Sequence, residues 1–171
     1  HNGKPLYPEN LEDALLVDGF LDVLEDIWPV LADTQDPIEK APLLSTMLGM
    51  GVQEQFLAEQ MDKTSGPLAM KFDHIERAAS DAGPYVLGEQ LTVADVFLFA
   101  ALSWWGAGMF ASMDPIIADR PKIKRSIEGV GALENVRQYY ARLKEERQKL
   151  PTVGDKHYAD YYSNFNALCQ V

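Results

Sequence analysis

The chain has 171 residues, enough for one domain with its own core, and a composition of 47% hydrophobic and 24% charged residues excludes a disordered polymer. Lys and Arg total 15 against 26 Asp and Glu, a formal net charge of -11, which argues against nucleic acid as a partner because such binding leans on cations that neutralise phosphate. A lone cysteine, Cys169, excludes an internal disulfide framework, and the scattered His1, His74 and His157 form no cluster with zinc spacing.

The opening His1-Asn2-Gly3-Lys4-Pro5-Leu6-Tyr7-Pro8 has no apolar signal core, so a soluble, cytoplasmic protein is expected. Apolar residues from Asn10 to about Ala32 (Leu11, Ala14, Leu15, Phe20, Leu21, Leu24, Trp28, Leu31) recur in three- and four-residue steps and predict a helix. Pro37 and Pro42 break that pattern. Helical spacing resumes over about 43–63, is punctuated by Thr64-Ser65-Gly66-Pro67, and continues over 68–82; the pattern leaves open whether these are one kinked helix or two. Gly83-Pro84 ends this segment.

The most apolar stretch, Val93 to Phe110, carries Asp95 and Ser103 and is marginal in length for a bilayer. It is read as the central buried helix of a soluble bundle, over about 92–110, with no membrane contact. A short helix near 121–128, a turn at Gly129-Val130-Gly131, and a helix over about 135–150 stopped by Pro151 follow. Tyr158, Tyr161, Tyr162 and Phe165 in the tail are spaced for one more short helix. Ten of the fifteen cations fall between Arg120 and Lys156, and the run from Lys122 to Arg125 reads as a solvated face. Strand alternation is nearly absent, so the fold class is all-α.

Leu91-Thr92-Val93-Ala94-Asp95-Val96 carries a helix-start signal. The Thr92 hydroxyl is placed to accept from the amide of Asp95, and the Asp95 carboxylate to reach back to the amide of Thr92, a capping box with Asp in place of Glu. Leu91 and Val96 stand at the positions of a hydrophobic staple. Such a device matters in a core, where water cannot satisfy the first amides of the helix.

The whole segment from Tyr85 to Val96 resembles the entry to the central helix of the C-terminal domain of glutathione transferases. Leu6-Tyr7-Pro8 looks like that family's interdomain linker, Val17 to Ile27 resembles the first helix of its helical domain in the sigma, pi and alpha classes, and Gly129 to Val136 resembles its late turn. The resemblance implies a linker over 1–9, a helical domain over 10–150 and a tail over 151–171. It further implies a homodimer, and a thioredoxin-like N-terminal domain that holds glutathione and activates its thiol. Nothing in the 171 residues shows that domain's βαβ pattern, so no catalytic residue is expected in this chain.

Asp18, Asp22 and Asp26 recur at i, i+4, i+8, with Glu25 beside them. Like charges at this spacing repel, so solvent, a neighbouring Lys or Arg, a divalent cation or a ligand amine must offset them. The resemblance places Asp26 where the family reaches across the dimer to the γ-glutamyl ammonium of glutathione, a role suited to a charge-assisted hydrogen bond. It also matches Asp22, Glu25 and Asp26 to acids that bind a divalent cation between subunits in some members. Trp28 and Ala32 are implied as walls for a small hydrophobic electrophile, although Trp28 also fits plain packing. His74 reads as a surface residue, Cys169 as inert, and Asp95 as structural. The same helical domain also occurs as a non-catalytic protein-interaction module, which is the alternative reading.

Overall fold

The structure, a computed structural model, describes residues 3, 5–27, 59–62, 66–104, 114–150, 152–153 and 156–157. Among the described residues the helices are, in order, α1 (Leu11–Glu25), α2 (Pro67–Ala78), α3 (Val93–Trp104), α4 (Asp114–Ile117), α5 (Pro121–Gly131) and α6 (Glu134–Arg147); α4 was not expected, and of the helix expected over about 43–63 all but 59–62 lies outside the described residues. The fold class is all-α.

Asn10 starts α1: its side chain accepts from the amide of Asp13 at 2.9 Å, and Glu12 and Asp13 lie at the positive end of the helix dipole. Ala14, Val17, Phe20, Leu24 and Ile27 turn inward. Glu59 and Gln60 are helical, the chain turns at Met61, and α2 begins afresh at Pro67, so the two halves left open by the sequence are separate. A proline at the first position of α2 has its φ preset and no amide to satisfy. Leu68, Phe72, Ile75 and Ala79 form the buried stripe of this segment.

A tight turn then delivers the chain to α3. Tyr85 and Gly88 exchange backbone hydrogen bonds of 2.9 Å in both directions, and the amide of Ser80 donates to the Val86 carbonyl at 2.8 Å. Gly83 and Gly88 have φ of 72° and 89°, a conformation open to glycine at no steric cost. At the far side, the first amide of α3, that of Val93, donates to the Leu6 carbonyl at 2.9 Å.

The described part of the central helix buries Ala94, Leu98, Phe99, Ala101 and Leu102. It packs most extensively on α5 and next on α1, while α2 bridges those two. One flank is open, because Val96 is 37% exposed and Ala100 is also exposed. Residues 105–110 of the predicted helix lie outside the described residues. No helix among the described residues is long and apolar enough to cross a membrane.

Two boundaries differ from expectation. The turn predicted at Gly129-Val130-Gly131 is the last turn of α5; the chain reverses at Ala132 and Leu133 instead. Burial of Ile123, Ile127 and Val130 on one face carries the helix through both glycines. Gly129 serves packing: a Cβ there would stand 3.2 Å from the Pro84 carbonyl oxygen and 3.2 Å from the Tyr85 ring. The helix predicted from residue 156 instead begins as a strand. β1 (Thr152–Val153) pairs antiparallel with β2 (Lys156–His157), with Thr152 opposite His157. Tyr158, Tyr161, Tyr162, Phe165 and Cys169 lie outside the described residues.

Candidate functional site

Asp95 stands at the centre of the bundle, fully buried, and its carboxylate accepts four hydrogen bonds. Oδ2 takes the Thr92 amide at 2.9 Å and the Thr92 hydroxyl at 2.7 Å. Oδ1 takes the Val86 amide at 2.7 Å and the Ser126 hydroxyl at 2.8 Å. The reach back from Asp95 to the Thr92 amide is as predicted. The Thr92 hydroxyl differs: it donates to the carboxylate, where acceptance from the Asp95 amide was expected. An oxygen carrying a negative charge in a dry site draws every donor in reach, because such bonds are stronger than neutral ones. All four hydrogen bonds on Asp95 thus come from within the bundle. The same charge acts on Tyr85, whose phenol pKa is raised by burial first and then by Asp95 and Glu89.

The run from Lys122 to Arg125 corrects the expectation of a solvated face. Lys122 Nζ donates to the Ala79 carbonyl at 2.7 Å and pairs with Asp81 at 2.8 Å; Arg125 donates to the Ser80 carbonyl at 2.7 Å and the Asp81 carbonyl at 3.2 Å. These cations hold the carbonyls of Ala79, Ser80 and Asp81, the three residues that follow α2. Asp81 is held below the ordinary carboxylate range by its hydrogen bond with Lys122. Of the run, Lys124 remains at the surface, near Glu128. In return, Glu76 of α2 caps α5, its carboxylate accepting from the amides of Lys122 and Ile123 at 3.0 Å. Arg120, 4% exposed, binds Asp73 at 2.7 Å and the Ile116 carbonyl at 2.8 Å.

The acidic stripe lies on the exposed face of α1. Asp18 accepts from the Tyr7 hydroxyl at 2.8 Å, a contact that raises the Tyr7 pKa. Asp26 forms the C-cap of α1 and pairs through Oδ2 with Lys71 Nζ of α2 at 2.9 Å. A neighbouring lysine therefore offsets part of the repulsion along the stripe. Lys71 also lines an open groove of about 610 Å³ between α1 and α2, together with Val23, Met70, Asp73, His74, Glu76 and Arg77. His74 is exposed there, as expected. Asp22, Glu25 and Asp26 do not converge within the chain; among the described residues no three His, Cys, Asp or Glu form a group able to hold a metal ion. Trp28 and Ala32 lie outside the described residues.

Sequence reasoning missed Ser126, Arg120 and Glu76. The only local signal was the i, i+3 acid pair Asp73 and Glu76, which flanks the buried stripe of α2.

The family model for the glutathione S-transferase C-terminal domain matches residues 57–142, just over half of the chain, and the chain belongs to that family. The match takes in the Asp95 centre and its partners, whereas Asp26 lies before it. No curated protein and no solved structure matches the chain.

Proposed function

We propose that this chain is the helical half of a glutathione transferase, supplying a dimer surface, a wall for a small hydrophobic electrophile and one contact to glutathione. The reaction is attack of the glutathione thiolate on an electrophilic atom, forming a thioether as the leaving group departs or the electrophile's double bond takes up a proton. A thioredoxin-like domain would lower the thiol pKa and this domain would position the electrophile. Asp26 would accept from the γ-glutamyl ammonium of glutathione held on the partner subunit. Trp28 and Ala32 would face the electrophile, and Asp22, Glu25 and Asp26 could take a divalent cation between subunits.

The observation that carries this reading is the placement of Asp26: a carboxylate whose side chain is 69% exposed, at the end of α1, in a family whose fold is shown independently by residues 57–142. Calorimetric titration of glutathione into the full-length protein tests it. Asp26→Asn should weaken binding about 10-fold, the scale of one charge-assisted hydrogen bond. An unchanged dissociation constant removes Asp26 from the site.

A second reading, a non-catalytic interaction module, is favoured by the Asp95 centre, whose four hydrogen bonds all serve the bundle itself. Glutathione failing to bind the wild-type full-length protein at all would select it.

A further inference from the structure

We propose that Lys71 is the positioning residue for Asp26: it fixes one oxygen of the carboxylate so that the other is presented outward to an ammonium ligand. This rests on the reading of Asp26 given above.

Asp26 stands among other negative groups. Its own amide donates to the Asp22 carbonyl at 3.0 Å, which places the residue at the negative end of the α1 dipole. Asp22 stands one turn back and Glu25 directly before it, so neighbouring negative charge disfavours an ordered position on the helix surface. A short side chain with no partner would then distribute over its staggered rotamers. Lys71 breaks that equivalence. It arrives from a different helix, its side chain is only 25% exposed, and it lines the groove with Val23 and Met70. A side chain three-quarters covered has fewer rotamers open to it than a fully solvated one, so the lysine brings part of its order to the contact.

The contact is one-sided. Lys71 Nζ meets Oδ2 at 2.9 Å, and among the described residues Oδ1 accepts no hydrogen bond. One oxygen is anchored and one is available, which is the arrangement a preorganised ammonium acceptor requires. A ligand ammonium can bind Oδ1 with the Lys71 contact intact.

The test is a double-mutant cycle on the full-length protein, with glutathione titrated calorimetrically. Lys71→Met keeps the stem and removes the charge; it should weaken glutathione about 2- to 5-fold, the scale of an exposed ion pair. Lys71→Arg should stay within 2-fold of wild type, and Asp26→Asn/Lys71→Met should bind no more weakly than Asp26→Asn alone. A readout independent of glutathione is the Asp26 Hβ three-bond couplings, which should report one rotamer in wild type and averaging in Lys71→Met. Additive losses, unchanged binding in Lys71→Met, or tighter binding because the lysine competes for the carboxylate would each overturn the proposal. If Asp26→Asn binds normally, the ligand reading of Asp26 fails, while the couplings still decide whether Lys71 orders it.

Discussion

Ser126 donates its hydroxyl to Asp95 Oδ1 at 2.8 Å, joining α5 to α3 across 31 residues of sequence. Both residues are fully buried, so the bond forms where water cannot replace it. Together with the Val86 amide on the same oxygen, it makes one carboxylate the meeting point of α3, α5 and the turn before α3.

Removing the acceptor should therefore cost more than removing any one donor. Asp95→Ala leaves two amides and two hydroxyls facing an apolar gap and should destabilise the domain by on the order of 3 kcal/mol or more. Ser126→Ala and Thr92→Ala each delete one donor and should cost about 1 kcal/mol. Asp95→Ala/Ser126→Ala should be no less stable than Asp95→Ala alone, since the partner of Ser126 is already gone. Urea denaturation of the four variants checks the order. Equal losses for Asp95→Ala and Ser126→Ala would sink the idea of a shared acceptor.

The joint between α2 and α5 gives a second expectation. Arg120→Met keeps most of the buried volume but strips the Ile116 and Ala69 carbonyls and Asp73 of their donor, at a cost of about 2 kcal/mol. Arg120→Lys should recover little, because one ammonium cannot reproduce a planar fork directed at three oxygens. Glu76→Ala, which uncaps α5, should cost about 1 kcal/mol. Thermal melts of the three variants test this, and a lysine variant matching wild type would reject the fork argument.

The turn at Gly83 is closed to any side chain. A Cβ there would lie 2.3 Å from the backbone carbon of Gly88, and φ is 72° besides. Gly83→Ala should lower stability by about 2 kcal/mol or more, from backbone strain and overlap together. Gly129→Val, at a site 3.2 Å from the Pro84 carbonyl oxygen, should cost about 1–3 kcal/mol. An undiminished melting temperature in Gly83→Ala would contradict the turn geometry.

What the sequence made readable was local. Thr92 and Asp95 are three residues apart, so helix geometry alone brings them together, and the apolar steps of α1, α2 and α3 name their buried faces. The Ser126 bond could not be read, because a buried serine on one helix carries no mark of the acid it will meet on another. Lys122 and Arg125 were misassigned for the same reason: a charge run looks solvated until the carbonyls of the turn after a second helix are placed beside it. Gly129 looked like a turn because glycine commonly ends a helix, whereas here the turn at Pro84 and Tyr85 needs the space. At the candidate site, the repulsion along Asp18, Asp22 and Asp26 left open solvent, a Lys or Arg, a divalent cation or a ligand amine as its offset, and that Lys71 supplies part of it depended on how α2 packs.

Tyr85 yields a prediction about pH. Burial, with Asp95 and Glu89 nearby, raises its phenol above the ordinary value of 10.0 in the folded chain. As pH climbs past the ordinary value, the unfolded chain loses this proton while the native chain keeps it. The native state then binds more protons than the unfolded one, so stability falls with rising pH. The contribution is complete below pH 10 and disappears as pH passes the raised folded value. Tyr85→Phe removes the titrating group. Urea midpoints at pH 9 and pH 11 should show a larger drop for wild type than for the phenylalanine variant. Identical drops would mean that Tyr85 titrates alike in both states and that the Asp95 charge does not reach it.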